Sequence, residues 1–385
     1  MDPNTQRPCR ILFALLLVIM TLPSVLMFVP ATRGKPLFGI PPIPDKERTP
    51  VMLYLGSHDR DEMLVKQSVG GCNHAVRLYN ELNYRLFKYS SAPKLIIGQD
   101  DYFYENIYID EYQGKDFVGE AIVRDNLLKF KRLQDSLHSH GIEFLLVLEP
   151  GKARCMPEYL PRRCRKGAQT NYDSYTRIAK ELGVRMLDLN AYFQSIVVSE
   201  PYPLYSRHGI HWTTYGMWHA ADTLQRFIER ECQITMPSFR HVFDTLSTVN
   251  KDLDFDLEPP MNLLSELPHE ELCFPVMEPQ PITGPRPRVL VIGDSYVWSL
   301  WDNGILKQWF DQPEFWYYNL TIYPHIWDPT AYYVDKRTLP EVLQQKDIIL
   351  LMTTDANLRN FGWHCLEEIQ ESINTHKNAI FAASN

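Results

Sequence analysis

The chain has 385 residues, of which 45% are hydrophobic and 22% charged, enough apolar material for one large packed domain or two smaller ones and too much for global disorder. Its formal charge is −8 and no basic block occurs, which argues against nucleic acid as the principal partner. Eight Trp and 21 Tyr offer flat faces suited to sugar rings, although most must serve packing.

Ile11 to Val29 is an uncharged apolar run of nineteen residues, close to the length that spans a bilayer as a helix and longer than a signal-peptide core. Arg7 and Arg10 precede it, and Arg33 and Lys35 follow it. Residues 1–35 therefore read as a cytoplasmic tail and uncleaved transmembrane signal anchor, with the rest of the chain exported; cleavage near Ala31 is the alternative. Residues 36–93 read as a spacer, proline-rich from Pro36 to Pro50, followed by a helical lead-in over 60–90. In that topology Cys9 is cytoplasmic, and Cys72, Cys155, Cys164, Cys232, Cys273 and Cys365 face an oxidising compartment. Cys155 and Cys164 flank a short loop and either pair or stay as free thiols. No C-x-x-C pair occurs, so no structural zinc site is expected.

From 94 to 385 the pattern is that of an α/β domain. Lys94 to Gly114 reads as short strands and turns. Leu127, Phe130, Leu133 and Leu137 then recur at helical spacing, with Gly141 as a stop. GIEFLLVLEP is a buried strand ending at Glu149-Pro150. Tyr172, Tyr175, Ile178 and Leu182 mark a second helix stopped by Gly183, and VRMLDL a second strand. Thr213 or Thr214 caps a helix that carries Met217, Ala221, Leu224 and Ile228 on one face. Residues 233–287 read as a long irregular insertion, because Pro259 to Pro287 holds eight prolines. RVLVIG is the third strand, FWYYNL over 315–320 the fourth and DIILLMTT over 347–354 the fifth; a closing helix and a short AIFAAS run follow. Strands alternating with helices predict a three-layer α/β fold around a parallel sheet.

Two pieces of this pattern carry chemistry. The third strand stops in Gly293-Asp294-Ser295, which puts a serine hydroxyl at the carboxyl edge of the sheet, where open α/β folds keep their sites. Upstream, His208-Gly209-Ile210-His211-Trp212 places a histidine on a loop just before a helix. A serine at a strand end and a loop histidine are the parts a serine acyl-transfer site requires.

With these residues in place, the stretch from Lys94 to Trp363 resembles the SGNH hydrolase-like proteins of the AlgX and AlgJ type, bacterial envelope proteins that O-acetylate exopolysaccharides. The resemblance rests on EFLLVLEPGKA with its Pro150 and Lys152, the MPEYLP loop, MLDL, HGIHWTTYG and VIGDSY. The order of the motifs adds to it: in ordinary SGNH esterases the serine comes first, whereas here the histidine element precedes the serine element, as in the AlgX/AlgJ group. One position departs from the family pattern. The Asp expected two residues before the histidine is Gly209. Three readings follow: a Ser–His dyad, a carboxylate from another segment (Asp355 first, Asp188 second), or a domain that has lost catalysis and serves as a polysaccharide-binding scaffold.

The resemblance implies Ser295 as the acetyl-carrying nucleophile, with its own backbone N–H on the oxyanion, and His211 as the base. Asn357 and Asn319, each near a predicted strand end, are candidate oxyanion donors or turn caps. Asp294 is expected to bond backbone in its own turn, and Lys152 either to touch an anionic sugar or to stand solvated on its loop. The implied protein is an inner-membrane, single-pass O-acetyltransferase with a periplasmic catalytic domain. Its acceptor is a polysaccharide, its acetyl donor a separate membrane-bound O-acyltransferase, and neither metal nor cofactor takes part. An esterase using the same residues is the alternative enzyme.

Overall fold

A computed structural model describes residues 3–26, 34–40, 71–249, 253–324 and 333–380, and the chain divides into two units, residues 1–95 with 257–268, and residues 96–256 with 269–385.

In the first unit, α1 (Pro3–Leu26) opens on a polar sequence and turns apolar at Ile11, with Ile11, Phe13, Ile19, Met20 and Val25 exposed. Among the described residues no helix is long and apolar enough to cross a membrane. The expected span to Val29 is not seen among the described residues: the helix is described as far as Leu26, and residues 27–33, which include Ala31, lie outside them. The spacer beyond residue 40 and the first part of the helical lead-in also lie outside them, and the helix expected there is α2 (Cys72–Phe87). Residues of the 257–268 segment dock along α2, where Asn80 Nδ2 donates to the Met261 carbonyl at 2.9 Å and Arg77 to that of Leu263 at 2.9 Å.

The second unit contains α3 (Glu120–His138), β1 (Glu143–Glu149), α4 (Asn171–Leu182), β2 (Met186–Asp188), α5 (Thr214–Cys232), β3 (Phe239–Ser247), β4 (Leu272–Pro279), β5 (Arg288–Gly293), α6 (Val297–Asp302), β6 (Asp311–Tyr317), β7 (Thr321–Tyr323), β8 (Ile348–Thr354) and α7 (Cys365–Ile380). One sheet runs in the order β2-β1-β8-β5-β6-β7, parallel except for the edge strand β7. Its centre is made of the continuous apolar runs, as expected for parallel strands covered on both faces. Leu350 of β8 sits in register with Leu145 of β1 and Val291 of β5. Phe144, Leu146, Ile349 and Leu351 pack in one cluster with Leu127, Phe130 and Leu137 of α3, Tyr175 and Ile178 of α4, and Leu366 and Ile369 of α7. Leu145, Val147, Leu350 and Met352 alternate to the other face and are equally buried, so both faces are covered. The three-layer α/β expectation holds here.

Three local expectations need correction. Strands Leu95–Ile97 and Phe103–Glu105 are present, but Asn106–Tyr112, expected as turn, is helical. The fourth strand starts earlier and ends at Tyr317, because Tyr318 and Asn319 adopt left-handed backbone (φ 52° and 55°) before the chain turns back as β7. The proline-rich insertion contains regular structure: β3 and β4 form an antiparallel pair, and Phe255, Leu272 and Phe274 make a small buried cluster. A two-stranded pair has only edges, so Pro275 and Pro279 are tolerated in it. The expected closing helix is α7, which includes Ile380, and the rest of the terminal AIFAAS run lies outside the described residues. All seven cysteines are free, so Cys155 and Cys164 do not pair.

Candidate active site

The carboxyl ends of β1, β5 and β8 lie side by side, and each opens into a polar turn. After β5, Asp294 is fully buried and its Oδ2 accepts from the Thr354 amide, the Thr354 hydroxyl and Asn357 Nδ2, each at 2.8 Å; its Oδ1 accepts from the Tyr296 amide at 3.2 Å. This fastens the Gly-Asp-Ser turn to the end of β8. Asp294 does bond its own turn, as the sequence suggests, but it bonds β8 more heavily. Ser295 is half-buried, and its Oγ donates to His211 Nε2 at 2.8 Å.

His211 is presented by a loop pinned at several points. Tyr205 and Trp212 form a bridge across it, and Thr213 caps α5 by accepting from the Gly216 amide at 3.1 Å. Trp212 Nε1 donates to Ser299 Oγ of α6 at 2.6 Å, and the Tyr296 hydroxyl to the Ile210 carbonyl at 2.7 Å. The histidine and serine turns are thus sewn to each other, which holds the imidazole against the hydroxyl. Its other nitrogen, Nδ1, donates to Asp256 Oδ2 at 2.7 Å, while Asp256 Oδ1 accepts from the Ile210 amide at 2.8 Å. Protonated at Nδ1, the ring presents a lone pair at Nε2 to the serine hydroxyl, the tautomer a general base requires. Burial pushes the His211 pKa down, but the Asp256 carboxylate, helped by Asp294 and Glu105, outweighs it and the net shift is upward.

The carboxylate on His211 is therefore Asp256, and neither Asp355 nor Asp188 reaches the imidazole. Asp355 is buried and turned to Arg154, whose Nε lies 3.2 Å from it; the same guanidinium holds both oxygens of Glu111 at 2.8 and 2.7 Å and covers the Tyr172 ring at 4.2 Å. Gly151 is what lets Asp355 lie there, since a Cβ at that position would collide with its carboxylate. Asp188 caps the turn that follows it, accepting from the Ala191 amide at 3.0 Å and from the Tyr172 hydroxyl at 2.9 Å. The missing acid at 209 has a steric reason. The Asp254 carbonyl fills the space where a Cβ on Gly209 would stand, and also accepts from the Ser206 hydroxyl. The segment that forbids a side chain at 209 supplies the carboxylate two residues later.

Of the remaining candidates, Asn319 is not at the nucleophile: its Nδ2 donates to the Trp363 carbonyl at 3.0 Å and to Glu368 at 2.9 Å. Asn357 is close, but its amide is donated to Asp294 and, at 3.0 Å, to the Thr354 hydroxyl. Lys152 is fully buried and is neither solvated nor aimed at a sugar. Two residues that no motif pointed to stand nearby. The Tyr318 phenol, at a left-handed backbone position, lies against the Ser295 hydroxyl and the Asn357 side chain; burial pushes its pKa strongly upward, and these two contacts oppose that rise. Glu149, buried at the end of β1, is held well above the ordinary carboxylate range by burial and by the neighbouring Asp294.

Residues 95–313, more than half of the chain, match the family model described as "SGNH hydrolase-like domain, acetyltransferase AlgX". The chain belongs to this family of SGNH hydrolase-like domains. It is similar to proteins described as probable alginate O-acetylase AlgJ: 26% identical over 153 residues to that of Pseudomonas putida, covering 39% of this chain and 37% of that protein, and 26% over 181 residues to that of Pseudomonas syringae pv. tomato, covering 46% and 42%. The chain thus spans less than half the length of these curated relatives. Among solved structures, the O-acetyltransferase domain of Pseudomonas putida AlgJ aligns with TM-score 0.48 at 19% identity over 69% of this chain and 93% of that one. Pseudomonas aeruginosa AlgX aligns with TM-score 0.44 at 14% identity over 71% and 67%.

Proposed function

We propose that the second unit is an O-acyltransferase that carries an acetyl group on Ser295 and passes it to a hydroxyl of a polysaccharide. The observation that carries this reading is the unbroken hydrogen-bond chain from Ser295 Oγ to His211 to Asp256, with links of 2.8 and 2.7 Å. In the first half-reaction Ser295 Oγ attacks the acetyl carbonyl carbon while His211 Nε2 takes the serine proton, and Asp256 steadies the imidazolium that forms. The Ser295 backbone N–H and the Tyr318 phenol donate to the oxyanion of the tetrahedral intermediate. That intermediate collapses by breaking the bond to the donor's leaving group, which receives the proton from His211, and the serine is left as its acetyl ester. In the second half, His211 takes the proton of a sugar hydroxyl as its oxygen attacks that ester, and the proton returns to Ser295 when the serine departs.

Family membership and the alginate O-acetylase names of the relatives support a polysaccharide acceptor over a small one. We place the catalytic unit in the periplasm, held to the inner membrane through residues 1–35 and supplied with acetyl groups by a membrane-bound O-acyltransferase. The exposed apolar side chains of α1, which need a cover, are in keeping with that attachment. The test uses the purified chain with a chromogenic acetyl ester and an unacetylated alginate acceptor. Acetate should become ester-linked to the acceptor with the wild type and not with Ser295→Ala. Release of free acetate at the same rate with and without acceptor would make the protein an esterase, and acceptor acetylation by Ser295→Ala would remove the serine mechanism.

A further inference from the structure

Lys152 lies just past the end of β1 with its side chain wholly out of water. Its Nζ donates to four main-chain carbonyls: Phe103 at 2.9 Å, Ser206 at 2.7 Å, Arg207 at 2.9 Å and Gly209 at 2.6 Å. The rings of Tyr102 and Tyr104 flank it, with centroids 5.3 and 5.2 Å away. Three of the four carbonyls belong to the loop that leads directly into His211. Carbonyl oxygens converging in a dry interior repel one another unless a positive charge lies among them; a similar ring of carbonyls is how channel proteins hold a dehydrated K⁺. An ammonium has three hydrogens to offer and a neutral amine two, so this cage demands the charged form. Burial pulls the other way and brings the Lys152 pKa down to about 7, while the carboxylates of Asp256 and Glu270 act to keep the charge.

We propose that Lys152 is a positioning residue: its ammonium is the tethered cation of a four-carbonyl site that shapes the 206–209 loop and so aims His211 at Ser295. The lysine touches neither the serine nor the imidazole, and its influence runs through the backbone it gathers. The loop has supports of its own elsewhere, since the Phe103 amide donates to the Arg207 carbonyl at 2.7 Å and the Arg207 amide to Glu270 at 2.5 Å. Removal of the cation should therefore shift the histidine more than it unfolds the domain. The proposal rests on the acyl-transfer reading of Ser295 and His211.

Two variants test it on the full chain. Lys152→Met keeps the apolar stem and removes the charge; kcat for a chromogenic acetyl ester should fall about 100-fold, the scale of a misaimed catalytic group, with KM little changed. Inactivation by phenylmethylsulfonyl fluoride, which reports the reactivity of the serine, should slow in step. Lys152→Ala leaves the carbonyl cage empty, and added KCl or methylammonium chloride should raise its kcat about tenfold, whereas tetramethylammonium chloride at equal ionic strength, which has no N–H and is too large for the cage, should not. Wild-type kcat in Lys152→Met, or equal activity of Lys152→Ala in all three salts, would overturn the proposal. If Lys152→Met does not fold, the melting temperature of Lys152→Ala decides: a rise confined to K⁺ and methylammonium supports the site, and a rise indifferent to the cation removes it. Ser295→Ala is run alongside. An active Ser295→Ala defeats the acyl-transfer reading, whereas an inactive one beside a fully active Lys152→Met defeats only the role given to Lys152.

Discussion

Asp256 reaches His211 from 45 residues further along the chain and fixes it twice, accepting from the imidazole Nδ1 and from the amide of the preceding residue, Ile210. Asp256→Asn should therefore cost orders of magnitude in kcat, about 10⁴ by analogy with serine proteases, because an amide can favour the wrong tautomer and gives no charge to the imidazolium. Moving the acid back to 209 should not restore activity: in Gly209→Asp the new side chain meets the Asp254 carbonyl and pushes the loop away. The measurement is acetyl-ester turnover of the two single variants and the double variant. Wild-type kcat in Asp256→Asn, or recovery in the double variant, would show that another group orients the histidine.

The raised pKa of His211 has a direction that kinetics can read. The protonated ring is stabilised by Asp256, so the free base needed for attack appears only above a value higher than the ordinary 6.5 or so. Plotted against pH, kcat/KM should rise through an acid limb lying above about 6.5. The same shift means that the stability supplied by the His⁺–Asp256 pair is fully present below the unfolded value and is lost as pH rises through the folded one. In Asp256→Asn, burial is left unopposed by that carboxylate and the limb should move to lower pH. A limb at the same pH in both proteins would contradict the assignment.

Arg154 and Asp355 should register in stability and leave the chemistry alone. Arg154→Met strands Glu111 and Asp355 as neighbouring buried carboxylates, a loss of about 3–5 kcal/mol on the scale of broken buried pairs. Asp355→Asn keeps the Glu111 partnership and should cost less, with kcat of the folded protein unchanged. Urea melts followed by fluorescence give the first quantity and ester turnover the second. A large drop in kcat for Asp355→Asn at unchanged stability would return this residue to the reaction.

Glu149 offers a second pH test, which runs in the same direction. Burial and the neighbouring Asp294 push the pKa of its carboxyl well above the ordinary value of about 4.5 that it has in the unfolded chain. The folded state then binds the extra proton, so this group costs stability progressively as pH climbs above that value. Glu149→Gln keeps the neutral shape and removes the titration; relative to wild type its melting temperature should improve between pH 5 and pH 8. A difference that stays constant over that range would mean that Glu149 is ionised in the fold.

Much of the framework is legible along the chain because its causes are local. β1, β5 and β8 are short apolar runs that end in polar turns, and Thr213 lies next to the helix it caps. Ser295 and His211 stand out for the same reason, each fixed by a neighbour of known type. The acid does not, because Asp256 sits in a segment without periodicity and acts only through a distant partner. Asp355 is the natural wrong choice, an acid at the mouth of a buried strand beside the serine turn; what excludes it is Arg154, which follows a different strand. Lys152 misleads in another way: a lysine on a glycine-preceded loop reads as solvated until the carbonyls around it are seen.

The fastening of Asp294 to Thr354 and Asn357 has a consequence for handling the protein. The match to the family model ends at residue 313, yet the strand lying between β1 and β5 is β8, contributed by Ile348–Thr354. A fragment trimmed to the similar stretch would lose the middle plank of its sheet, leave β1 and β5 with facing unpaired edges, and strip Asp294 of three of its four donors. The unit that can be expressed, crystallised or grafted is set by that strand and runs well past the stretch by which the family is recognised.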